Sequence, residues 1–173
     1  MTKFQQKDNE GRLIFQQYCN NNTSWCKYNK SAKDEFSSWD VSYTSGGTQV
    51  IGEIKMRNFA SNTFNGWFLE DKKLKDLKVV RDEVINKQND STSTSTPTIQ
   101  YINIFNDGNI IIWDITNIDS VTTTMSLKRT TMGNQFDIDK AIITLPTSDA
   151  MLCELYERIP IGNLNDDDDG LPF

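Results

Sequence analysis

Trp39-Asp40-Val41-Ser42-Tyr43-Thr44-Ser45-Gly46-Gly47-Thr48-Gln49-Val50-Ile51-Gly52-Glu53-Ile54-Lys55 decides the reading of this chain. Alternating runs flank Gly46-Gly47, and paired glycines supply the positive φ angles that a two-residue hairpin turn requires. If Ser45 pairs with Thr48, Asp40 falls opposite Glu53 on one face of the hairpin, with Cα atoms roughly 4.5–5.5 Å apart. Two like charges placed there repel unless a cation compensates them. Alternation puts Lys55 on the face of Glu53, roughly 7 Å further on at ~3.4 Å per residue. Val50 and Ile54 form the opposite, apolar face, and Trp39, Val41 and Tyr43 share the face opposite Asp40. The hairpin is therefore expected to pack on one side and to leave its charged side accessible.

Such a cluster suits a hard divalent cation. Mg2+ (or Mn2+) prefers oxygen ligands and retains several waters, and Asp40, Glu53 and the Ile54 carbonyl would offer those oxygens. The ion would lower the pKa of a bound water and stabilise charge on a phosphate oxygen. Lys55 would orient that water or help deprotonate it, because a buried lysine near a metal has its pKa lowered. The plainer alternative is a surface ion pair between Asp40 and Lys55, with Glu53 incidental.

A further acid precedes the hairpin. The run from Asp8 to Cys19 reads as a helix, with Asp8 or Asn9 able to cap it and Asn20-Asn21-Asn22 able to end it. Glu10 shares a helical face with Leu13, Ile14 and Gln17, which would point it inward beside the hairpin. A first-turn glutamate favoured by the helix dipole is the competing explanation.

The succession of helix-borne Glu10, Asp40 and Glu53-Ile54-Lys55 resembles the PD-(D/E)XK nuclease superfamily, including its restriction-endonuclease-like and Holliday-junction-resolvase branches. The resemblance implies an α/β fold with a restriction-endonuclease-like core, a central mixed β-sheet flanked by helices. That core is a helix, a three-stranded meander, a second helix and a further strand, and roughly the first two-thirds of this chain offers a similar order. Trp39 stands where the family usually has a proline before its first aspartate. By resemblance Asp40, Glu53, Ile54 and Glu10 would hold the metal, Lys55 would be the catalytic lysine and Glu10 an accessory acid. The implied activity is hydrolysis of phosphodiester bonds in DNA during replication, recombination or repair, with a homodimer expected by analogy.

The second helix is expected at residues 66–87, with Phe68 or Leu69, Leu74, Leu77 and Val80 or Val84 forming its buried stripe. Related nucleases often carry a lysine or glutamine on this helix near the active site, which makes Lys72 or Lys73 the substrate-binding candidate. For either lysine the simpler reading is a solvated helical face.

At 173 residues the chain is expected to hold one domain, residues 1–164, and a tail, residues 165–173. It has no apolar run near twenty residues and no cationic leader, so it is expected to be soluble and cytoplasmic, without a membrane partner. Histidine is absent, and Cys19, Cys26 and Cys153 lack CxxC spacing, which argues against zinc and serine–histidine chemistry. The cysteines are expected to be reduced thiols. A net charge of −6 is unfavourable for binding DNA, where Lys and Arg neutralise phosphate. Setting aside Asp166 to Asp169 takes the 24 acidic side chains to 20, against 18 basic. Lys27, Lys30, Lys33 and the second helix could form a basic face, with Trp25, Tyr28 and Trp67 available to stack on bases.

Residues 89–97 read as a low-complexity loop. Beyond them, two isoleucine-rich runs flank Asn106-Asp107-Gly108, a second hairpin buried on both faces. Further strands are expected at residues 125–130 and 141–145, and a short helix at residues 149–156. Asp114 could approach the site, and the simpler reading is an edge-strand acid.

The tail, Asn165-Asp166-Asp167-Asp168-Asp169-Gly170-Leu171-Pro172-Phe173, places an apolar end beside an acidic run. It is similar to the acidic tip of bacterial single-stranded-DNA-binding proteins. The likeness implies a partner that binds such tips, with Asp168, Asp169, Pro172 and Phe173 as the contacts and Phe173 as the anchor; a solubilising tail is the alternative. Compactness and this tail point to a bacterial virus as the source. The rival function is a noncatalytic single-stranded-DNA-binding barrel, or an adaptor that recruits replication and repair proteins.

Overall fold

The structure, a computed structural model, describes residues 3–32, 37–88, 95–118, 123–128 and 137–156. Gly46 and Gly47 have φ of 54° and 84°, a backbone that other residues adopt at a cost. Strands β2 (Val41–Ser45) and β3 (Thr48–Arg57) leave that turn in the expected register, from Ser45 opposite Thr48 to Val41 opposite Gly52. Helix α1 (Lys3–Asn21) and strand β1 (Cys26–Ser31) precede them, and β1 pairs antiparallel with β2 to complete a meander.

After β3 the chain passes through β4 (Gly66–Glu70) and α2 (Asp71–Gln88) and returns as β5 (Thr98–Phe105), parallel to β3. A parallel pair needs such a crossover. β6 (Asn109–Asp114) folds back antiparallel at the expected Asn106-Asp107-Gly108 turn, where Gly108 has φ 84°. With β9 (Leu152–Leu155) the large sheet has the order β1-β2-β3-β5-β6-β9. β7 (Thr123–Lys128) and β8 (Asp137–Pro146) join β4 in a second sheet, ordered β4-β8-β7. Among the described residues the fold is therefore α/β, a six-stranded mixed sheet with a smaller sheet and two α-helices.

Alternation along β3 separates two cores. Val50 and Ile54 pack with Ile14, Phe15 and Tyr18 of α1, whereas Ile51 packs with Leu74 and Leu77 of α2 and with Trp67 and Leu69 of β4. The helices accordingly cover opposite faces of the large sheet. Each such fully buried side chain contributes roughly 1.5–3 kcal/mol. At Gly11 a Cβ would come within 3.0 Å of Ile54 Cγ2, so glycine lets α1 lie close against β3.

Several expectations need correction. α1 runs from Lys3 to Asn21 and not from Asp8 to Cys19, and Leu13 faces solvent while Glu10, Ile14 and Tyr18 are buried. Asn22 ends it by donating both its backbone N–H and its side-chain amide to Tyr18 O. Residues 66–70 form a strand, with Trp67 and Leu69 buried against the large sheet, and the helix begins only at Asp71. The helix expected at residues 149–156 is a 3-10 turn (Thr147–Asp149) followed by β9, because residues 152–155 pair with β6. Trp39 packs with the α2-side core and not with Val41 and Tyr43, since regular alternation starts at Val41. Cys19 and Cys26 form a disulfide, contrary to the expected thiols: the turn after α1 brings their Cα atoms to 5.0 Å. Lys33, residues 89–94, residues 129–130 and the whole tail lie outside the described residues.

Candidate active site

Asp40 sits one residue before β2. Its N–H donates to Gly52 O at 2.9 Å, and its Oδ2 accepts from Ile54 N at 2.9 Å, so it straddles Glu53. Arg12 of α1 donates to Asp40 Oδ1 through Nη2 at 2.7 Å and Nε at 3.3 Å, and reaches Ala32 O through Nη1. Burial alone would raise the Asp40 carboxyl, but the charge of Lys55 and the bonds from Arg12 and Ile54 N–H hold it below the ordinary range.

Glu53 is 1 % exposed, on the α2 side of the sheet. Its Oε1 lies 2.8 Å from Lys55 Nζ and its Oε2 lies 3.2 Å from Lys73 Nζ. Oε2 has no hydrogen-bond partner among the described residues. Burial pushes the Glu53 carboxyl up, and the neighbouring Asp40 charge adds to this against the pull of both lysines. Lys55 remains partly accessible, and the Glu53 carboxylate holds it protonated, above the usual lysine range. The lowered value expected for a lysine acting as base is not what these surroundings produce.

The other sequence candidates divide. Lys73 reaches the cluster, whereas Lys72 is 82 % exposed and pairs with Asp76 on its own helix. Glu10 is buried on α1, and Asp8, two residues earlier, feels the charges of Lys55, Asp40, Arg12 and Lys73. Asp114 accepts from Thr116 N at 2.9 Å, as a turn acid does. Trp67 is buried and so cannot stack on a base, and Trp25 and Tyr28 pack against the α1-side core. Among the described residues no group of three or more His, Cys, Asp or Glu side chains converges, and no helix is long and apolar enough to cross a membrane.

Sequence reasoning missed Arg12 and Arg57. Arg57, also buried, donates to Asn103 Oδ1 at 3.2 Å and to Tyr101 OH at 2.8 Å and lies over the Trp67 ring. Strand alternation from Glu53 through Lys55 to Arg57 was the available signal. Nothing local marks Arg12, whose partner is 28 residues away. No family model, curated protein or solved structure matches this chain.

Proposed function

We propose that the protein is a divalent-cation-dependent DNA nuclease with a restriction-endonuclease-like core, hydrolysing phosphodiester bonds in replication, recombination or repair. The observation that carries this reading is the juxtaposition of Asp40, Glu53 and Lys55, with the buried Glu53 Oε2 ion-paired to Lys73 at 3.2 Å but without a hydrogen bond among the described residues. The order of α1, a three-stranded meander, a crossover containing α2 and a strand parallel to β3 supports it, being the order the resemblance implies.

The donor set fits Mg2+ or Mn2+. A carboxylate oxygen has two acceptor directions; Arg12 uses those of Asp40 Oδ1, and Ile54 N–H leaves one on Oδ2. Asp40 Oδ2 and Glu53 Oε2 are thus the oxygens that would hold the ion, water and substrate phosphate completing its shell. When bound, such an ion supplies an acidified water and charge neutralisation. Lys55, protonated, donates a hydrogen bond to the phosphate or the attacking water and acts as an orienting cation. Arg12 fixes the Asp40 carboxylate, and Lys73 adds positive charge at the Glu53 side. Glu10 and the Ile54 carbonyl keep the accessory roles that the resemblance gives them.

The protein incubated with single-stranded, duplex, flapped and four-way DNA in Mg2+ or Mn2+ should produce cleavage that a chelator abolishes. Intact DNA throughout would overturn the reading. A noncatalytic adaptor is the second reading. It is favoured by the self-neutralised state of the cluster, in which Arg12, Lys55 and Lys73 already answer both carboxylates, and the same panel separates the two.

A further inference from the structure

Beside Glu53, between β3 and β5 of the large sheet and β4 and β8 of the small one, lies a groove with a volume of roughly 80 Å3 that opens to solvent. Its charged lining is dominated by cations, Lys55, Lys73 and Arg57, and Glu70 in the same lining is held by Lys140 at 2.6 Å. The rest of the surface is mainly carbon, from Phe68, Tyr101, Ile142 and a leucine. The floor is set in place: Tyr101 OH donates to Phe68 O at 2.9 Å and accepts from Arg57.

We propose that the mouth of this groove seats one unpaired base, next to the scissile phosphate, against the half-buried Phe68 ring. The inference rests on the nuclease reading for the position of that phosphate. A site for phosphate alone would present N–H donors on most sides. Here cations stand at the Glu53 end and the half-buried Phe68 ring beyond, above a buried floor of Tyr101, Leu69 and Ile142, the chemistry of an anion joined to a flat apolar ring. A paired base is held in its stack and entry requires unstacking, which costs a few kcal/mol and least where the nucleotide is already unpaired. The preferred substrates are therefore single strands, flaps, bulges or frayed ends.

Affinity measured by fluorescence anisotropy in chelator, where no cleavage occurs, tests this with three DNAs: a fully paired duplex, the same duplex with one unpaired nucleotide, and that duplex with an abasic unit in place of the unpaired nucleotide. The wild-type protein should bind the bulged duplex tightest and lose about 5- to 100-fold on the abasic form, the range of aromatic–base stacking. Phe68→Ala should lose a similar factor on the bulged duplex alone, and Phe68→Trp should retain it. Equal affinity of the wild-type protein for all three DNAs overturns the inference, as does a folded Phe68→Ala variant that weakens all three alike. Should Phe68→Ala fail to fold, the abasic comparison decides by itself. Discrimination without metal-dependent cleavage would remove the nuclease reading and leave the nucleotide groove standing; cleavage without discrimination would do the reverse.

Discussion

Arg12→Ala isolates the contact on which the placement of Asp40 depends. The two side chains are 11 % and 14 % exposed, and their shortest contact is a 2.7 Å charge-assisted bond. Removing one member of a buried ion pair costs about 3–5 kcal/mol. Asp40 would keep Ile54 N–H and the Lys55 charge, which places the loss at the lower end, about 3 kcal/mol, or roughly 6–12 °C in Tm for a domain of this size. The assay is a double-mutant cycle in urea at pH 7, with wild type, Arg12→Ala, Asp40→Asn and the double variant. A coupling of about 1.5–3 kcal/mol is expected for a hydrogen bond to a charged group. The Asp40 carboxyl lies below its ordinary value in the folded state, so its contribution is present above the unfolded value of about 3.9 and disappears as pH falls through the folded one. The gap between wild type and Arg12→Ala should therefore close below about pH 4. Additivity within ~0.5 kcal/mol, or a gap that persists in acid, would refute the reasoning.

Three other outcomes follow from the same geometry. Glu53→Gln should abolish cleavage, and because the buried Glu53 carboxyl has a raised value, wild type should lose stability relative to this variant as pH rises above the unfolded value of about 4.3; calorimetry of both proteins across pH without metal checks the sign. Lys73→Ala should slow cleavage, whereas Lys72→Ala should leave both rate and stability unchanged to within ~0.5 kcal/mol; equal rates for the two variants would exclude Lys73 from the site. Deleting residues 165–173 should preserve intrinsic cleavage and weaken capture by a protein that binds acidic tips, as read by pull-down with such a protein.

The hairpin and its register were legible because Gly46-Gly47 permits few alternatives and a one-residue slip would take Val41 and Tyr43 out of the α1-side core they share with Val50 and Ile54. The Asn106-Asp107-Gly108 hairpin and the isoleucine-rich strands were legible for the same kind of reason. β4 was not: Gly66-Trp67-Phe68-Leu69-Glu70 is too short to show alternation and runs straight into a helical pattern that absorbs it. β9 gains its strand character from pairing with β6, a long-range contact that local propensity does not encode. In the site, Asp40, Glu53 and Lys55 could be aligned because one turn fixes all three. Arg12, the Cys19–Cys26 bond and the groove at Phe68 arise from tertiary packing between elements whose local sequence carries no sign of it.

Joint service of Asp40 and Glu53 in phosphodiester hydrolysis is tested most directly by the single-turnover rate of DNA cleavage in Mg2+ by wild type and by a folded Asp40→Asn variant. A loss of about a hundredfold or more is predicted, comparable to removing one preorganised electrostatic contact from an active site. Equal rates for the two proteins would contradict the account.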